Sequence, residues 1–401
     1  MKRLCLVFLC VFVALQASVL PVHATEQSQI YPFDFATEDF WYKNDVPSGS
    51  FTSGIACKGC ILMEASTGTV LYASDETAHL PIASVTKVMA TLLIMEALDA
   101  GKLALGDMIT VSDRAASMGG SQVYLEAGEQ MSVDDLLKSL IVVSANDATV
   151  ALAEAVCGSE ESFIAAMNEK ATELGLTDTH FVNTNGLPAE GHYSSAKDVA
   201  LTTRALLEHP LVLNYTNIWM DTIRGGTFGL ANTNKLVRFY NGANGMKTGF
   251  TGEAGYCLSG TAKRDGMQLI AVVLGASSSE DRFALAKQLL DFGFANYGVQ
   301  TPVAELPDRI AVKKGIADTV GLTCTPPSVL LEKGSGKLTQ SLDLPDAIDA
   351  PVAKGQVVGK VTFSLDGNIL ASADVCAATD IKKIGFGDII KQIFANIFSV
   401  L

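Results

Sequence analysis

The chain has 401 residues, 48% of them apolar and 18% charged, a mixture that describes a globular protein and excludes disordered and collagen-like ones. Its 29 Lys and Arg against 43 Asp and Glu leave a net charge of −14, which excludes a general nucleic-acid binder, because the cationic surface that phosphates need is missing. At roughly 100 to 200 residues per domain, two or three domains are expected.

Residues 1–24 have the form of a secretory signal. Lys2 and Arg3 make a basic start, Leu4 to Val22 is almost unbroken apolar, and Val22-His23-Ala24 ends with small residues at the cleavage spacing. An uncleaved N-terminal anchor is the alternative. No later apolar run reaches the ~20 residues that span a bilayer, so the mature protein is expected outside the cytoplasm. Of the eight cysteines, Cys5 and Cys10 leave with the signal. Cys57-Lys58-Gly59-Cys60 has a suggestive spacing, and pairing of Cys57 with Cys60 or of Cys324 with Cys376 stays open. Cys157 and Cys257 fall in the patterns of small core residues.

Residues 25–53 are polar apart from an aromatic cluster from Tyr31 to Tyr42, and read as a tether. From residue 54 to about 300 the pattern is that of one domain. Cys60 to Glu64 and Thr69 to Tyr72 are strand-like runs joined by the hairpin signal Ser66-Thr67-Gly68. Apolar residues at spacings of three and four then predict helices over Val88–Leu98, Val133–Val143, Thr149–Val156 and Glu161–Leu174. Strand character returns at Tyr256–Ala262 and Met267–Leu274, and a helix follows over Glu280–Tyr297. This order fits an α+β fold: an antiparallel sheet built from both ends of the domain and flanked by the helices inserted between them. Residues 301–379 show short strand-like runs punctuated by six prolines from Pro302 to Pro351, the pattern of a small all-β domain. Over 380–401, Phe386, Ile389, Ile390, Ile393, Phe394, Ile397 and Phe398 cover one half of a helical wheel behind Lys382 and Lys383. An amphipathic helix lying in a membrane interface is expected, against a helix docked on the protein's own core.

Ser84-Val85-Thr86-Lys87 opens the first apolar-periodic segment and brings an amine to a hydroxyl one helical turn away. Taken singly such a match says little, and Ser194-Ser195-Ala196-Lys197 repeats it. The ordered set says more: Ser144-Ala145-Asn146 follows at a helix end, and Lys247-Thr248-Gly249 begins a strand region after it. With these motifs the chain resembles the serine-reactive acyl-transfer enzymes of the penicillin-binding and β-lactamase superfamily. More narrowly it resembles the low-molecular-mass penicillin-binding proteins that are D-alanyl-D-alanine carboxypeptidases. Gly245 to Thr251 with Ala254-Gly255-Tyr256, Thr179-His180-Phe181 with Asn185-Gly186-Leu187, and Tyr193 to Asp198 match that narrower group.

A serine hydroxyl is a weak nucleophile that needs a base in hydrogen-bond reach, and Lys87 can serve only when neutral, a form favoured by burial and by the nearby ammonium of Lys247. The resemblance implies that Ser84 attacks the terminal D-Ala-D-Ala amide of peptidoglycan stem pentapeptides and that Ser144 relays the proton. It further implies that Asn146 bonds the substrate peptide, that Lys247, Thr248 and Arg282 hold its carboxylate end while Gly249 lets the substrate backbone lie along the strand, and that the backbone N–H groups of Ser84 and Phe250 form the oxyanion hole. The resemblance also implies that β-lactams acylate the same serine. Neither a metal nor an organic cofactor is implied, since side chains and backbone fill every role. The partners expected are the pentapeptide, β-lactams and the outer face of the cytoplasmic membrane. Ala145 and Phe250 depart from the Gly and His that many relatives carry, which puts rate and selectivity in question rather than activity. His180 and His192 are weaker candidates for the base. Two other readings remain: a β-lactamase, although no E-x-x-L-N stretch lies between Ser144 and Lys247, and a catalytically inactive wall-binding homologue.

Overall fold

The computed structural model of the chain describes residues 51–390. The expected export signal, the aromatic cluster of the expected tether and most of the segment expected to form a C-terminal helix lie outside the described residues. The tether's last residues are in view: the Phe51 ring packs on Tyr72 and Phe292 at 4.6 and 5.5 Å, and Ser53 Oγ donates to Gln288 Oε1.

The chain enters through the hairpin β1 (Gly59–Glu64) and β2 (Val70–Ser74), then a 3₁₀ turn over Ala83–Thr86 leads into α1 (Lys87–Asp99). The insertion that follows contains β3 (Met108–Thr110), α2 (Asp113–Ala116), β4 (Gln130–Ser132), α3 (Val133–Val142), α4 (Asn146–Cys157) and α5 (Glu160–Glu173). It continues with α6 (Ala196–Leu207), α7 (Leu213–Thr216), the hairpin β5 (Met220–Ile223) and β6 (Phe228–Ala231), and α8 (Leu236–Phe239). Strands β7 (Ala243–Thr251), β8 (Gly255–Arg264) and β9 (Met267–Ala276) then rejoin the first hairpin, and α9 (Ser279–Asn296) closes the domain. Among the described residues these strands form a five-stranded sheet, in the order β2-β1-β9-β8-β7, each neighbouring pair antiparallel.

Both faces of this sheet are covered, which explains why its central strands read as continuous apolar runs rather than alternating ones. Ile61, Met63, Ile270, Val272 and Leu274 point into a core shared with α1, α3, α4 and α6. Cys60, Leu62, Leu269, Ala271 and Val273, one residue out of step, point into a second core under α9. Helix starts are set by serine caps: the hydroxyls of Ser132, Ser159, Ser195 and Ser278 each accept from an N–H in the first turn of α3, α5, α6 and α9.

Beyond α9, β10 (Tyr297–Gln300) pairs with β13 (Val329–Glu332), so the junction near residue 300 is tied by a two-stranded ladder. The remaining strands are β11 (Arg309–Lys313), β12 (Thr319–Thr323), β14 (Thr339–Asp343), β15 (Ala347–Asp349), β16 (Val357–Leu365) and β17 (Asn368–Ala377). They form a sheet in the order β14-β16-β17-β12-β11-β15. Residues 386–390 are helical, with Phe386, Ile389 and Ile390 exposed. Among the described residues no helix is long and apolar enough to cross a membrane. The six cysteines there are free thiols.

What positions the site is close backbone approach around the 3₁₀ turn. A Cβ on Gly186 would stand 1.8 Å from Ala83 O, and one on Gly249 in β7 would stand 2.8 Å from Ile82 O and 2.9 Å from Ser84 N. Ala83 itself has φ 47°, in the left-handed region that L-residues avoid. Gly186 has φ +84° as well as no room for a side chain, so Gly186→Ala is predicted to destabilise the protein by ~3 kcal/mol or more. Gly252→Ala, whose Cβ meets open space, serves as the control in thermal unfolding. Equal midpoints for the two variants would contradict this packing.

Candidate active site

Ser84 sits inside the 3₁₀ turn rather than on the helix proper, and Lys87 is the first residue of α1. With three residues per 3₁₀ turn, side chains at i and i+3 eclipse, which suits the spacing of serine and lysine better than an α-helical turn does. Lys87 Nζ lies 3.0 Å from Ser84 Oγ. Its other partners are Asn146 Oδ1 at 2.6 Å and the Asn185 carbonyl at 3.0 Å.

Both of those oxygens can only accept, so they take up the two hydrogens of a neutral amine and leave its lone pair for the serine hydroxyl. Lys87 is fully buried, and holding an ammonium there without an ion pair costs several kcal/mol. Burial first, and the positive charge of Lys247 second, hold Lys87 well below the ordinary lysine range, against the smaller pull of the Asp147 carboxylate.

Ser144 and Asn146 occupy the junction of α3 and α4. Ser144 has φ 65°, and its hydroxyl is buried with no hydrogen-bond partner. An unmet buried hydroxyl costs about 1–3 kcal/mol, which marks a group kept for something other than stability. Asn146 Nδ2 donates to Gly119 O at 2.7 Å, and the Asn146 N–H donates to Ser121 O at 2.7 Å. The buried Asp147 carboxylate accepts from the N–H groups of Val123, Leu125 and Ala148, binding the 119–125 loop to the start of α4.

Lys247, Thr248 and Gly249 lie on β7, an edge strand of the main sheet, paired with Ser259, Leu258 and Cys257 of β8. Lys247 Nζ donates to Thr248 O, and Thr248 Oγ1 donates to Thr233 Oγ1. Burial, and then the charge of Arg282, bring Lys247 down to about 7. Arg282 lies in the first turn of α9 and is itself buried. Its Nη1 donates to Gly249 O and Cys257 O, while its Nε has no partner. Its guanidinium also lies 5.4 Å from the Tyr256 ring centre, and burial lowers it to about 10. Phe250 is exposed and rests on Tyr256, with ring centres 4.4 Å apart.

The structure thus brings Ser84, Lys87 and Asn146 into one hydrogen-bonded group and sets Gly249 against the Ser84 N–H. Arg282 braces the backbone behind that strand.

The second serine–lysine match lies elsewhere in role: Ser195 caps α6, Ser194 Oγ pairs with Thr179 Oγ1, and Lys197 is exposed. His192 is also accounted for. Its Nδ1 accepts from the Val182 N–H and its Nε2 faces Thr86 Oγ1, and burial, aided by His180, lowers it to about 4. Neither of its nitrogens is open for base work. Asn185 was not singled out for a role by its type, because it acts through a backbone carbonyl; the Asn-Gly-Leu stretch around it was the available signal.

Residues 47–278 match the D-alanyl-D-alanine carboxypeptidase family, and residues 305–383 match the C-terminal domain of penicillin-binding protein 5. The chain is 44% identical to the D-alanyl-D-alanine carboxypeptidase DacF of Bacillus subtilis (strain 168), over 86% of this chain and 91% of that protein. Penicillin-binding protein 5 from Haemophilus influenzae superposes with a TM-score of 0.72 at 32% identity, covering 84% of this chain and all of that one (100%). Penicillin-binding protein D2 from Listeria monocytogenes, in its ampicillin-bound form, superposes with a TM-score of 0.56 at 33% identity, over 61% of this chain and 99% of that one. Motifs, fold and matched length agree, and the chain belongs to the D-alanyl-D-alanine carboxypeptidase family.

Proposed function

We propose that the chain is exported and removes the C-terminal D-alanine of peptidoglycan stem pentapeptides through an acyl-enzyme on Ser84, the serine that β-lactams also acylate. The observation that carries this reading is the Lys87 amine, with two acceptors on its hydrogens and the Ser84 hydroxyl 3.0 Å away. Ser84 Oγ attacks the carbonyl carbon while its proton passes to the Lys87 lone pair. The N–H groups of Ser84 and Phe250 receive the developing oxyanion. Ser144, whose hydroxyl is otherwise unengaged, relays the proton to the leaving nitrogen. D-Alanine departs, water gives its proton to the same base, and hydrolysis of the ester frees Ser84.

Lys247 and Thr248 hold the substrate carboxylate, Arg282 keeps that end of β7 positive, and the second Nδ2 hydrogen of Asn146 serves the substrate peptide. The Gly249 backbone passes close enough to the 3₁₀ turn to hold both oxyanion donors together. The helical start at 386–390 and its exposed Phe386, Ile389 and Ile390 support a peripheral attachment to the membrane through residues 380–401.

Intact-mass spectrometry after penicillin treatment is predicted to show one adduct on the wild type and none on Ser84→Ala. An adduct that survives the substitution would place the nucleophile elsewhere. The carboxylate clamp works only while Lys247 is an ammonium, and in the free enzyme that charge is lost as pH rises through about 7. Bound carboxylate raises the lysine's pKa, so kcat/KM is predicted to fall on the alkaline side at lower pH than kcat does. Coincident alkaline limbs would argue against Lys247 as the clamp. Deleting residues 380–401 is predicted to move activity from the membrane to the soluble fraction, and continued sedimentation with membranes would sink the anchor.

A further inference from the structure

Asn146 must present its oxygen, and not its NH₂, to Lys87. If the amide were turned over, an N–H would compete with the Ser84 hydroxyl for the only lone pair of the amine. What selects the orientation is the Gly119 carbonyl, which accepts from Asn146 Nδ2 at 2.7 Å. The catalytic donor–acceptor pattern therefore depends on where the 119–125 loop stands.

That loop is held from two sides. On the inner side, the Asp147 carboxylate accepts from Val123 N at 3.0 Å and Leu125 N at 3.1 Å. On the outer side stands Arg224, at the tip of the β5–β6 hairpin and some hundred residues away in sequence. Its Nη1 donates to Val123 O at 2.7 Å and its Nη2 to Tyr124 O at 3.2 Å. The same guanidinium forks onto Glu129, with Nε to Oε1 at 2.7 Å and Nη2 to Oε2 at 3.0 Å. The N–H of Val123 is thus taken by Asp147 and its C=O by Arg224, so the peptide groups on both sides of this residue are fixed. Two residues of the clamp are in left-handed backbone, Tyr124 at φ 57° and Arg224 at φ 51°. A lysine, a compact point charge without the planar fork, cannot reproduce the bidentate hold on Glu129 together with the two carbonyl contacts.

We infer that Arg224 is a positioning residue for acylation: by fixing the 119–125 loop it keeps the Gly119 carbonyl on Asn146, and so keeps the Asn146 oxygen on Lys87. This rests on the reading of Lys87 and Asn146 given above.

The test is a double-mutant cycle on the rate of acylation by a fluorescent penicillin in the full chain, with Arg224→Ala, Asn146→Ala and the pair. Arg224→Ala is expected to slow acylation by about tenfold in the wild-type background and by less than about twofold once Asn146 is alanine, because the side chain through which it acts is gone. Its effect on the thermal midpoint is expected to be the same in both backgrounds. If Arg224→Ala does not fold, Arg224→Lys completes the cycle in its place. Equal slowing in both backgrounds, or no slowing in the first, would overturn the inference and leave the site reading standing. Undiminished acylation in Asn146→Ala alone would overturn both.

Discussion

A primary amine without its extra proton is the condition on which the rest of this structure depends. Water would keep Lys87 charged, and a charged lysine cannot take a proton from serine. The fold removes that water by making Lys87 the opening residue of a helix whose own residues Val88, Met89 and Ala90 are buried around it. It then supplies two oxygens that accept and none of the carboxylate contacts that would restore the charge. Lys247, buried on the neighbouring strand, adds repulsion. Each of these features costs stability by itself, since buried amines and an unmet serine hydroxyl are poorly solvated. The large apolar cores on both faces of the sheet are what offset them.

Holding these groups in register is a backbone problem. Ala83 takes a left-handed conformation, Gly186 packs on its carbonyl, and Gly249 lets an edge strand lie against the Ser84 N–H. Ser84, the proposed nucleophile, is therefore gripped between a loop, a strand and a helix from three distant parts of the sequence. The insertion of helices between the two halves of the sheet makes this possible, because β1 and β9 are neighbours while α1 and α4 pack on the same face. Strain at functional positions is a common companion of such sites, and here it coincides with close contacts that leave no alternative path for the chain.

Much of this was legible in the sequence. The periodic segments predicted α1, α3, α4 and α5 to within a residue or two at most ends, and the continuous apolar runs of β1 and β9 stood out because both faces of the sheet are covered. Ser84, Lys87, Ser144, Asn146 and Lys247 could be singled out as candidates because the chemistry proposed for them resides in side chains at fixed spacings. The 119–125 loop, the Asn185 carbonyl and the β5–β6 hairpin were not. Backbone acceptors carry no residue signature, and Arg224 in Ile-Arg-Gly-Gly reads as an ordinary turn charge until the fold brings Glu129 beside it. The short strand β15 was lost for another reason: three residues give too few alternations to register. The second serine–lysine match shows the opposite error that a motif alone invites, since the same four-residue spacing there serves as a helix cap.

The protonation state of Lys87 can be measured directly. With ¹⁵N in the lysine side chains and Lys87→Arg to assign the signal, NMR reads whether that nitrogen is an amine or an ammonium as pH changes. The account predicts an amine at neutral pH, with protonation shifted well below the ordinary lysine range. An Nζ that stays an ammonium until the ordinary lysine range, in enzyme that still acylates, would contradict it.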